Sequence, residues 1–342
     1  MNASLTARPV SDPIRLYQYR DGLYAVDLLT AAMVEFDFFS RFAADGMNTG
    51  EVCAFFGFAP RPADVLLTLC AANSLLVCDG ETWRLTNTAR EHLCADSHWN
   101  LKPYFESLHD RPIARDYAEV LRTGKPAGWS GDKSAGDWHK AMENEAFARR
   151  FTSAMDCRGN YLAPALAEAL DLSNVTRVLD IGGGSGIYAC ALCAAHAHLH
   201  AVVFDQAPVD RIARTLIEER GCAERVGVLA GDMFQGLPDH CDAHLFSNVL
   251  HDWDIPEVEK LLACSHAALP AGGLLIIHDA FINAAKDGPL HVAEYSALLM
   301  HSTQGKCYST AEYAALMEEA GFEPEPYHHT VAARGVMTAR KR

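Results

Sequence analysis

The sequence predicts an α/β fold in which a Rossmann-like, largely parallel sheet follows an α-helical domain of winged-helix type. Short apolar runs alternate with helical segments after residue 176, which is typical of parallel strands joined by right-handed helical crossovers. With 342 residues, 49% of them hydrophobic, the chain is also long enough for more than one core. We expect three segments: a winged-helix-like domain over 1–105, a helical linker over 106–175, and the sheet domain over 176–342.

The winged-helix prediction comes from the order of elements in the first hundred residues. Thr49–Phe56 and Ala63–Leu76 read as two helices, separated by a turn that contains Gly57, Pro60 and Pro62. Two short strand-like runs then flank Asp79-Gly80, a dipeptide that tolerates the positive φ angles of a tight hairpin.

Charge argues against nucleic acid as a partner of this domain. The chain carries 29 Lys and Arg against 44 Asp and Glu, a formal net charge of −15, which repels a phosphate backbone. Residues 1–100 hold seven Arg and no Lys, and the second helix of the pair has only Arg61 to offer to DNA. We therefore expect no DNA binding, and we expect the apolar faces of this domain to pair with a second subunit.

No apolar stretch of signal-peptide or membrane-spanning length is visible, so we expect a cytoplasmic protein. Eleven cysteines, an odd number, are expected to be reduced core residues. Two groups have the spacing of short metal motifs, but neither has a matching second half, and we expect no metal at either. They are Cys190 with Cys193, and the alternating His196, His198 and His200.

The strands of the sheet domain can be placed by their apolar runs, with a long helix from Asp137 to about Leu170 before them. Five runs alternate with helices and are expected to be parallel, whereas two adjacent runs at the C-terminus suit a hairpin at the sheet edge. The five are Arg177–Ile181, His200–Phe204, Val226–Leu229, Ala243–Val249 and Leu274–His278, and the two are Phe322–His328 and Thr330–Thr338.

A glycine-rich loop follows the first of these strands. Gly182, Gly184 and Gly186 allow backbone N–H groups to approach a ligand at the start of a helix. An NAD-binding fold uses a similar loop, but its fingerprint requires glycine at position 187, where this chain has Ile. The acid just before the loop, Asp180, suits a ligand with a cationic ammonium and sulfonium better than a pyrophosphate.

Two more acids stand at the tips of the next two strands. Asp205 is placed to accept hydrogen bonds from both hydroxyls of a ribose, although a helix N-cap is an alternative role. Asp232, in the run Gly231-Asp232-Met233-Phe234, is placed to accept from an adenine amino group while Met233 or Phe234 packs on the ring.

Four motifs together resemble a known family. They are Val178–Gly186, Gly231–Phe234, Val249–Trp253 and the closing helix Thr310–Phe322, and they resemble the S-adenosylmethionine-dependent O-methyltransferases of the caffeate and acetylserotonin type. The resemblance extends over nearly the whole chain. It implies a seven-stranded methyltransferase domain, a winged-helix dimerisation domain, a homodimer, bound S-adenosylmethionine, a small-molecule acceptor and a catalytic histidine at 251.

The chemistry of methyl transfer agrees with that assignment. His251 follows the fourth strand, at the carboxyl edge where open α/β sheets bind ligands, and an imidazole is suited to remove a proton from an attacking hydroxyl. Asp252 is expected near the sulfonium and Asn248 near the adenosine. The family commonly flanks its histidine with two glutamates. Here Asp279 stands at the first position and Cys307, in Gly305–Ser309, replaces the second.

The residues leave a second reaction open. Some members of the family methylate the carbon next to the ketone of a 2-oxo acid with a metal, and His251, Asp252 and His301 have the composition of a facial triad for that metal. We favour O-methylation without a metal. The acceptor pocket is expected to draw on apolar and aromatic residues, namely Phe147, Met155, Phe281, Met300, His301 and Tyr308.

Overall fold

A computed structural model describes residues 5–127 and 141–342. The chain forms two compact units. The sheet unit comprises Met1–Ile14, His139–Phe281 and Thr310–Arg342, and the helical unit comprises Arg15–Trp138 and Ile282–Ser309.

The helical unit contains the predicted pair of helices. Asn48 caps the first of them in a reciprocal capping box with Glu51, and Gly57, with φ of 70°, ends it in the left-handed conformation. Its helices are α1 (Ile14–Asp21), α2 (Ala25–Glu35), α3 (Phe38–Arg41), α4 (Thr49–Phe56), α5 (Pro60–Ala72), α6 (Asn87–Leu93), α7 (Lys102–Glu106), α8 (Pro112–Thr123) and α13 (Leu290–Ser302). Although α13 lies late in the chain, it packs against α5 and α2.

The predicted hairpin follows α5. Strands β1 (Leu76–Asp79) and β2 (Thr82–Leu85) pair antiparallel, and the turn between them contains Gly80 with φ of 66°. Met47 adds an antiparallel bridge to Trp83, so a third short segment extends the wing. The helix, turn, helix and hairpin expected from the sequence are therefore confirmed.

Arg61, the cation near the start of α5, is turned inward. Its side chain is buried, and its guanidinium donates to the carbonyl oxygens of Gly305 and Gly124 within the same unit. A recognition helix needs such a donor free for phosphates and base edges. The placement of Arg61 thus agrees with the expectation that this domain does not read DNA.

The sheet unit contains all five predicted parallel strands within one or two residues of their expected ends. They are β3 (Arg177–Ile181), β4 (His200–Asp205), β5 (Val226–Ala230), β6 (Ala243–Ser247) and β7 (Leu274–Asp279). The strand order is β5-β4-β3-β6-β7. The chain therefore adds β4 and β5 on one side of β3 and then adds β6 and β7 on the other side. The junction of β3 with β6 is therefore the switch point of the sheet.

The C-terminal strands are arranged in a way that the sequence did not predict in detail. β10 (Gly335–Lys341) lies antiparallel between β7 and β8 (Phe322–Pro324). The strand at the edge of the sheet is therefore β8, which precedes β10 in the chain. The two-residue strand β9 (His328–His329) pairs with β10 beside this path, which makes eight strands where seven were expected.

Helices cover the sheet and include the long helix expected from the linker. They are α9 (Glu145–Ala169), α10 (Ile187–Ala195), α11 (Val209–Glu219), α12 (Ile255–Ala268) and α14 (Thr310–Glu319). The expected start of α9 near Asp137 lies outside the described residues. A Cβ on Gly159 would come within 2.4 Å of the Ile187 side chain, so glycine permits α9 to approach the start of α10 closely.

The cysteines and the alternating histidines have structural roles. All eleven cysteines are free, and five of them are buried, whereas Cys157 is exposed. His196 and His198 lie at the end of α10, with ring nitrogens close to backbone carbonyls of Ala167 and Leu172.

Within the described ranges, no single helix has the length and hydropathy needed to cross a membrane. Only α4 and α5 taken together, bent by 113° at their junction, meet that standard, on length and composition alone.

Two glycines of the wing provide a matched test of its packing. Both have positive φ, but a Cβ on Gly46 would lie 2.7 Å from the carbonyl oxygen of Trp83, whereas a Cβ on Gly80 meets nothing within 4 Å among the described residues. We expect Gly80→Ala to lower the free energy of unfolding by about 1 kcal/mol, the cost of left-handed backbone. Gly46→Ala should cost at least about 3 kcal/mol, because overpacking adds to that strain. Urea denaturation of both variants measures the difference, and equal losses would contradict the close approach at Gly46.

Candidate active site

The carboxyl ends of the parallel strands bring the predicted site residues to one edge of the sheet unit. Asp180 is the last residue but one of β3, the glycine loop follows the end of β3, Asp205 ends β4, and Gly231 follows β5. Asn248 follows β6, and Asp279 ends β7. Because parallel strands end on the same side of a sheet, these groups surround the switch point between β3 and β6, where open α/β sheets bind ligands.

The glycine loop turns sharply between β3 and α10. Gly182, Gly184 and Gly186 all have φ between 56° and 72°, a region that residues with a Cβ rarely adopt. Cβ atoms at Gly182 and Gly186 would press on Val249 and Ile217, respectively, so these two glycines serve packing. At Gly184 a Cβ would meet no described atom within 4 Å, so the loop faces open space there.

Asp180 is fully buried beneath the loop. A Cβ on Gly183 would lie 2.6 Å from its carboxyl carbon, so the loop is pressed against this side chain. Neither carboxylate oxygen meets the geometry of a hydrogen bond with a described residue. Burial therefore raises the pKa of Asp180 to about 7, with a smaller opposing effect from the backbone N–H of Ala189.

Asp205 links the tip of β4 to the loop. One carboxylate oxygen accepts from the N–H of Gly184 at 2.9 Å and the other from the N–H of Gln206 at 2.8 Å. Burial nevertheless raises its pKa, to about 6. Each carboxylate oxygen can accept a second bond, so Asp205 retains the capacity to bind hydroxyl groups while it holds the loop in place.

The residues after β5 form a short exposed turn. Asp232 accepts the N–H of Phe234 at 2.9 Å, and a Cβ on Gly231 would lie 2.4 Å from the ring of Phe204, so glycine is needed there. The ring of Phe234 stands edge-on to Trp253, with centroids 4.7 Å apart. Met233 is half-buried in the same turn.

His251 lies in a single 3₁₀ turn, Leu250–Asp252, after β6. Its ring is almost completely buried, and Nδ1 makes a short hydrogen bond with the carboxylate of Asp279. Burial acts to raise the pKa of Asp279, but the charge and hydrogen bond of His251 outweigh it and hold that pKa below its usual range. Asp279 is also in contact with the hydroxyl of Tyr313, at 3.4 Å, and accepts the N–H of Ala280.

Asp252 lies on the other side of the imidazole. Its carboxylate is 3.8 Å from Nε2 of His251, too far for a hydrogen bond. Burial raises its pKa to about 6, and the charges of His251 and Arg158 partly oppose that effect. The site thus presents one imidazole between two carboxyl groups, only one of which is hydrogen-bonded to it.

A buried polar network that the sequence analysis missed lies behind the turn. Asn248, in left-handed backbone with φ of 55°, donates to the hydroxyls of Tyr188 and Ser247 at 3.2 Å each and accepts from Nε of Arg334 at 3.3 Å. Ser247 is in turn 2.8 Å from Nδ1 of His278, whose pKa burial lowers to about 3. These bonds hold the side chain of Asn248 in place at the start of the 3₁₀ turn, and its predicted contact with the adenosine stays a prediction.

The predicted acceptor residues of the sheet unit lie in two places. Phe147 and Met155 are half-buried on α9 with Phe151 between them, and the rings of Phe147 and Phe151 are nearly parallel. Their spacing of four residues puts all three on one face of the helix. Phe281 is buried after β7, edge-on to Tyr313 and Tyr327. Phe151 was missed, although the same spacing could have identified it.

The other predicted acceptor residues belong to the helical unit. Met300, His301 and Tyr308 are all buried there. Nε2 of His301 is 3.4 Å from a carboxylate oxygen of Asp116, and its ring stands edge-on to those of Tyr24 and Tyr117. Cys307, at the position of the usual glutamate, is also buried, and its backbone N–H donates to Ser296.

No group of three or more His, Cys, Asp or Glu side chains is placed to hold a metal ion in residues 5–127 and 141–342. The arrangement therefore gives no support to the metal-assisted alternative.

Comparisons with known proteins agree with the geometry. Residues 115–323, more than half of the chain, match the O-methyltransferase domain family. The chain is 32% identical to a 3-hydroxy-5-methyl-1-naphthoate 3-O-methyltransferase of Streptomyces sahachiroi, over 90% of this chain and 89% of that protein. It is 29% identical to an L-tyrosine C(3)-methyltransferase of Streptomyces lavendulae, over 82% and 79%, respectively.

Among solved structures, the chain is similar to an O-methyltransferase family 2 protein from Planctomyces limnophilus in complex with apigenin. The TM-score is 0.87 at 28% identity, and the match covers 99% of this chain and 98% of that one. The resemblance drawn from the sequence motifs and the predicted fold class are thus confirmed, and the chain belongs to the O-methyltransferase family.

Proposed function

We propose that this protein transfers a methyl group from S-adenosylmethionine to a hydroxyl of a planar aromatic small molecule, with His251 as the general base. The observation that carries the proposal is the buried hydrogen bond from Nδ1 of His251 to Asp279. It assigns the ring proton to Nδ1 and leaves Nε2 as the atom that can accept a proton from the acceptor.

The edge of the sheet unit fits the methyl donor. Gly184 faces open space, so a ligand can approach the loop closely there. Asp180 is a buried carboxylate without a hydrogen bond to a described residue, which suits a cationic group. Asp205 would hold the ribose, and Asp232 with Met233 and Phe234 would hold the adenine. Asp252 would lie near the sulfonium.

When bound, S-adenosylmethionine supplies an electrophilic methyl group on a positively charged sulfur. His251 would remove the proton from the attacking hydroxyl, and Asp279 would stabilise the imidazolium that results. Asp279 takes over the orienting role of the longer glutamate in the family. Because Asp279 is fully buried and bonded to Ala280, it can hold the ring in one orientation.

The proposed acceptor class rests on the aromatic face of α9. Phe147 and Phe151 present nearly parallel rings, and Met155 extends the same face. Rings and thioethers of this kind suit a flat aromatic ligand. The naphthoate named for one relative and the apigenin in a related structure are both aromatic compounds with hydroxyl groups, which supports this choice.

We also propose that the protein is a homodimer formed through the helical unit. The described structure exposes an apolar stripe at Leu16 and Tyr19 on α1, Leu23 in the turn that follows, and Val26 on α2, and the first three residues are more than half exposed. Such a stripe favours burial against another chain. Two copies of the same stripe can meet about a twofold axis.

The base can be tested by substitution. We expect His251→Ala to lower kcat by about 10²–10⁴-fold while adenosylmethionine binding is retained, because it removes the proton acceptor and leaves the loop intact. Asp279→Asn should also lower kcat, because an amide cannot stabilise the imidazolium. Mass spectrometry of products from a panel of phenols and 2-oxo acids, with labelled donor, reports turnover and the methylated atom. The exposed His240 provides the control His240→Ala. Normal turnover by His251→Ala would refute the proposal.

Asp180 gives a pH-dependent prediction. Its pKa of about 7 exceeds the ordinary value of 3.8, so the ligand-free fold loses stability as pH rises through this range. At pH 8 we expect the free energy of unfolding of Asp180→Asn to exceed that of the wild type by about 2–4 kcal/mol, and we expect this difference to shrink as pH falls towards 4. The same variant should bind adenosylmethionine at least about tenfold more weakly, because the cation loses its counter-ion.

Chemical denaturation and calorimetry at several pH values measure both effects, with Asp239→Asn as an exposed control. A variant that binds the donor as well as the wild type does would show that Asp180 is not part of the donor site.

The dimer proposal predicts that Tyr19→Glu combined with Leu23→Glu yields monomers, because charges would replace the apolar stripe. Analytical ultracentrifugation measures the mass, with Leu229→Glu, an exposed position in β5, as the control. A wild-type protein that sediments as a monomer would contradict the proposal.

A further inference from the structure

Arg334 is a buried cation at the end of the sheet that holds His251 and Asp279, the hydrogen-bonded pair that we call the dyad. Its side chain is 2% exposed, although arginine is among the residues least often buried. It immediately precedes Gly335, whose register partner in the antiparallel pairing of β10 with β7 is Asp279. Arg334 therefore stands one residue before the backbone partner of Asp279, and its charge acts on that carboxylate.

The backbone before Arg334 is strained. Ala332 and Ala333 have φ of 49° and 58°, and left-handed backbone costs about 1–2 kcal/mol for each residue with a Cβ. The loop is closed by hydrogen bonds from Thr330 to the carbonyl of Arg334 and from Arg334 to the carbonyl of Val331. Such strain persists only where the surroundings impose it, and it is concentrated at functional sites.

The guanidinium donates hydrogen bonds both to the strained segment and to the turn that follows β6. Nη1 donates to the carbonyl of Ala332 at 3.2 Å, and Nε donates to the side chain of Asn248 at 3.3 Å. Asn248 is itself left-handed, and its N–H donates to the carbonyl of His278 at 2.8 Å. Arg334 thus joins the C-terminal loop to the start of the turn that carries His251, three residues later.

The charge of Arg334 acts on the same region. Burial raises the pKa of Asp279, His251 lowers it by a larger amount than Arg334 does, and Arg334 adds to that lowering. Burial also lowers the pKa of His278, and the charge of Arg334 lowers it further. Other charged or titratable groups around the dyad, among the described residues, include Asp252 on its own turn, His278 on β7, Arg158 on α9, Tyr188 on α10 against His278, and Tyr313 on α14.

We propose that Arg334 is a positioning residue for the His251–Asp279 dyad. It fixes the turn from Asn248 to Asp252 at the sheet edge, and its positive charge helps to keep Asp279 ionised as the hydrogen-bond acceptor of Nδ1. This inference rests on the proposed role of His251 as the base.

The two parts of this role can be separated by substitution. Arg334→Lys keeps the charge but loses the planar donors, so kcat should fall by about tenfold while the rising limb of its pH profile stays in place. Arg334→Gln also removes the charge. We expect a loss of kcat of about 10–100-fold and a shift of that limb to higher pH by about one unit. Donor affinity should change little in either variant.

The control is Arg340→Gln, at the other end of β10, where the side chain donates to the carbonyl of Gly272 near the surface. It carries the same loss of charge and should leave both kcat and the pH profile unchanged. A lower kcat for Arg334→Gln with the limb at its wild-type position would overturn the electrostatic role.

If Arg334→Gln does not fold, Arg334→Lys still decides the positioning role, because it keeps the buried charge. Wild-type kcat in that variant would overturn it. A wild-type enzyme that methylates none of the offered acceptors would instead reject the proposed function, so the two failures are distinguishable.

Discussion

The hydrogen bond between Nδ1 of His251 and Asp279 depends on the parallel pairing of β6 with β7. Ser247 and His278 are register partners, so the two strands end together and their next residues turn into the same space. His251 and Asp279 are both buried, which strengthens their interaction and holds the ring in one orientation. The network behind the turn, from Ser247 through Asn248 to Arg334, supports this single contact from the opposite side.

Asp180 and the glycine loop after β3 differ from the His251–Asp279 pair, because the buried Asp180 is not stabilised by a partner of opposite charge within the described ranges. Asp180 is buried without a hydrogen bond to a described residue, and the loop is held against it by Gly183 and by the bonds of Asp205. Burial of this kind costs stability in the free protein whenever the carboxylate is charged. A bound cationic group, as we propose for this edge, would offset that cost, as expected of a preorganised site.

Much of the fold could be predicted from the sequence because its signals are local. The β1–β2 hairpin follows from Asp79-Gly80, and the five parallel strands follow from apolar runs. The insertion of β10 between β7 and β8 could not be predicted, because pairing between distant strands leaves no trace in local pattern. The packing of α13 against α5 is likewise a long-range property.

The candidate site was predicted unevenly for a similar reason. His251 and Asp279 lie in recognisable motifs at strand ends, and the structure brings them together. Arg334 lies in a short segment with no motif, and only the pairing of β10 with β7 brings it, one residue before Gly335, to the end of the strand that carries Asp279. The hydrogen bonds of Asn248 to Tyr188, Ser247 and Arg334 could not be predicted, because sequence spacing does not reveal partners distant in the chain.

The tautomer of His251 is the most direct measure of this account. Nitrogen-15 NMR of histidine-labelled enzyme, with the signals of residue 251 assigned by their loss in His251→Gln, reports which ring nitrogen carries the proton at neutral pH. We expect a protonated Nδ1, bonded to Asp279, and an unprotonated Nε2. A proton on Nε2 with an unprotonated Nδ1 would contradict it, because the ring could then neither bind Asp279 as described nor accept a proton from a hydroxyl at Nε2.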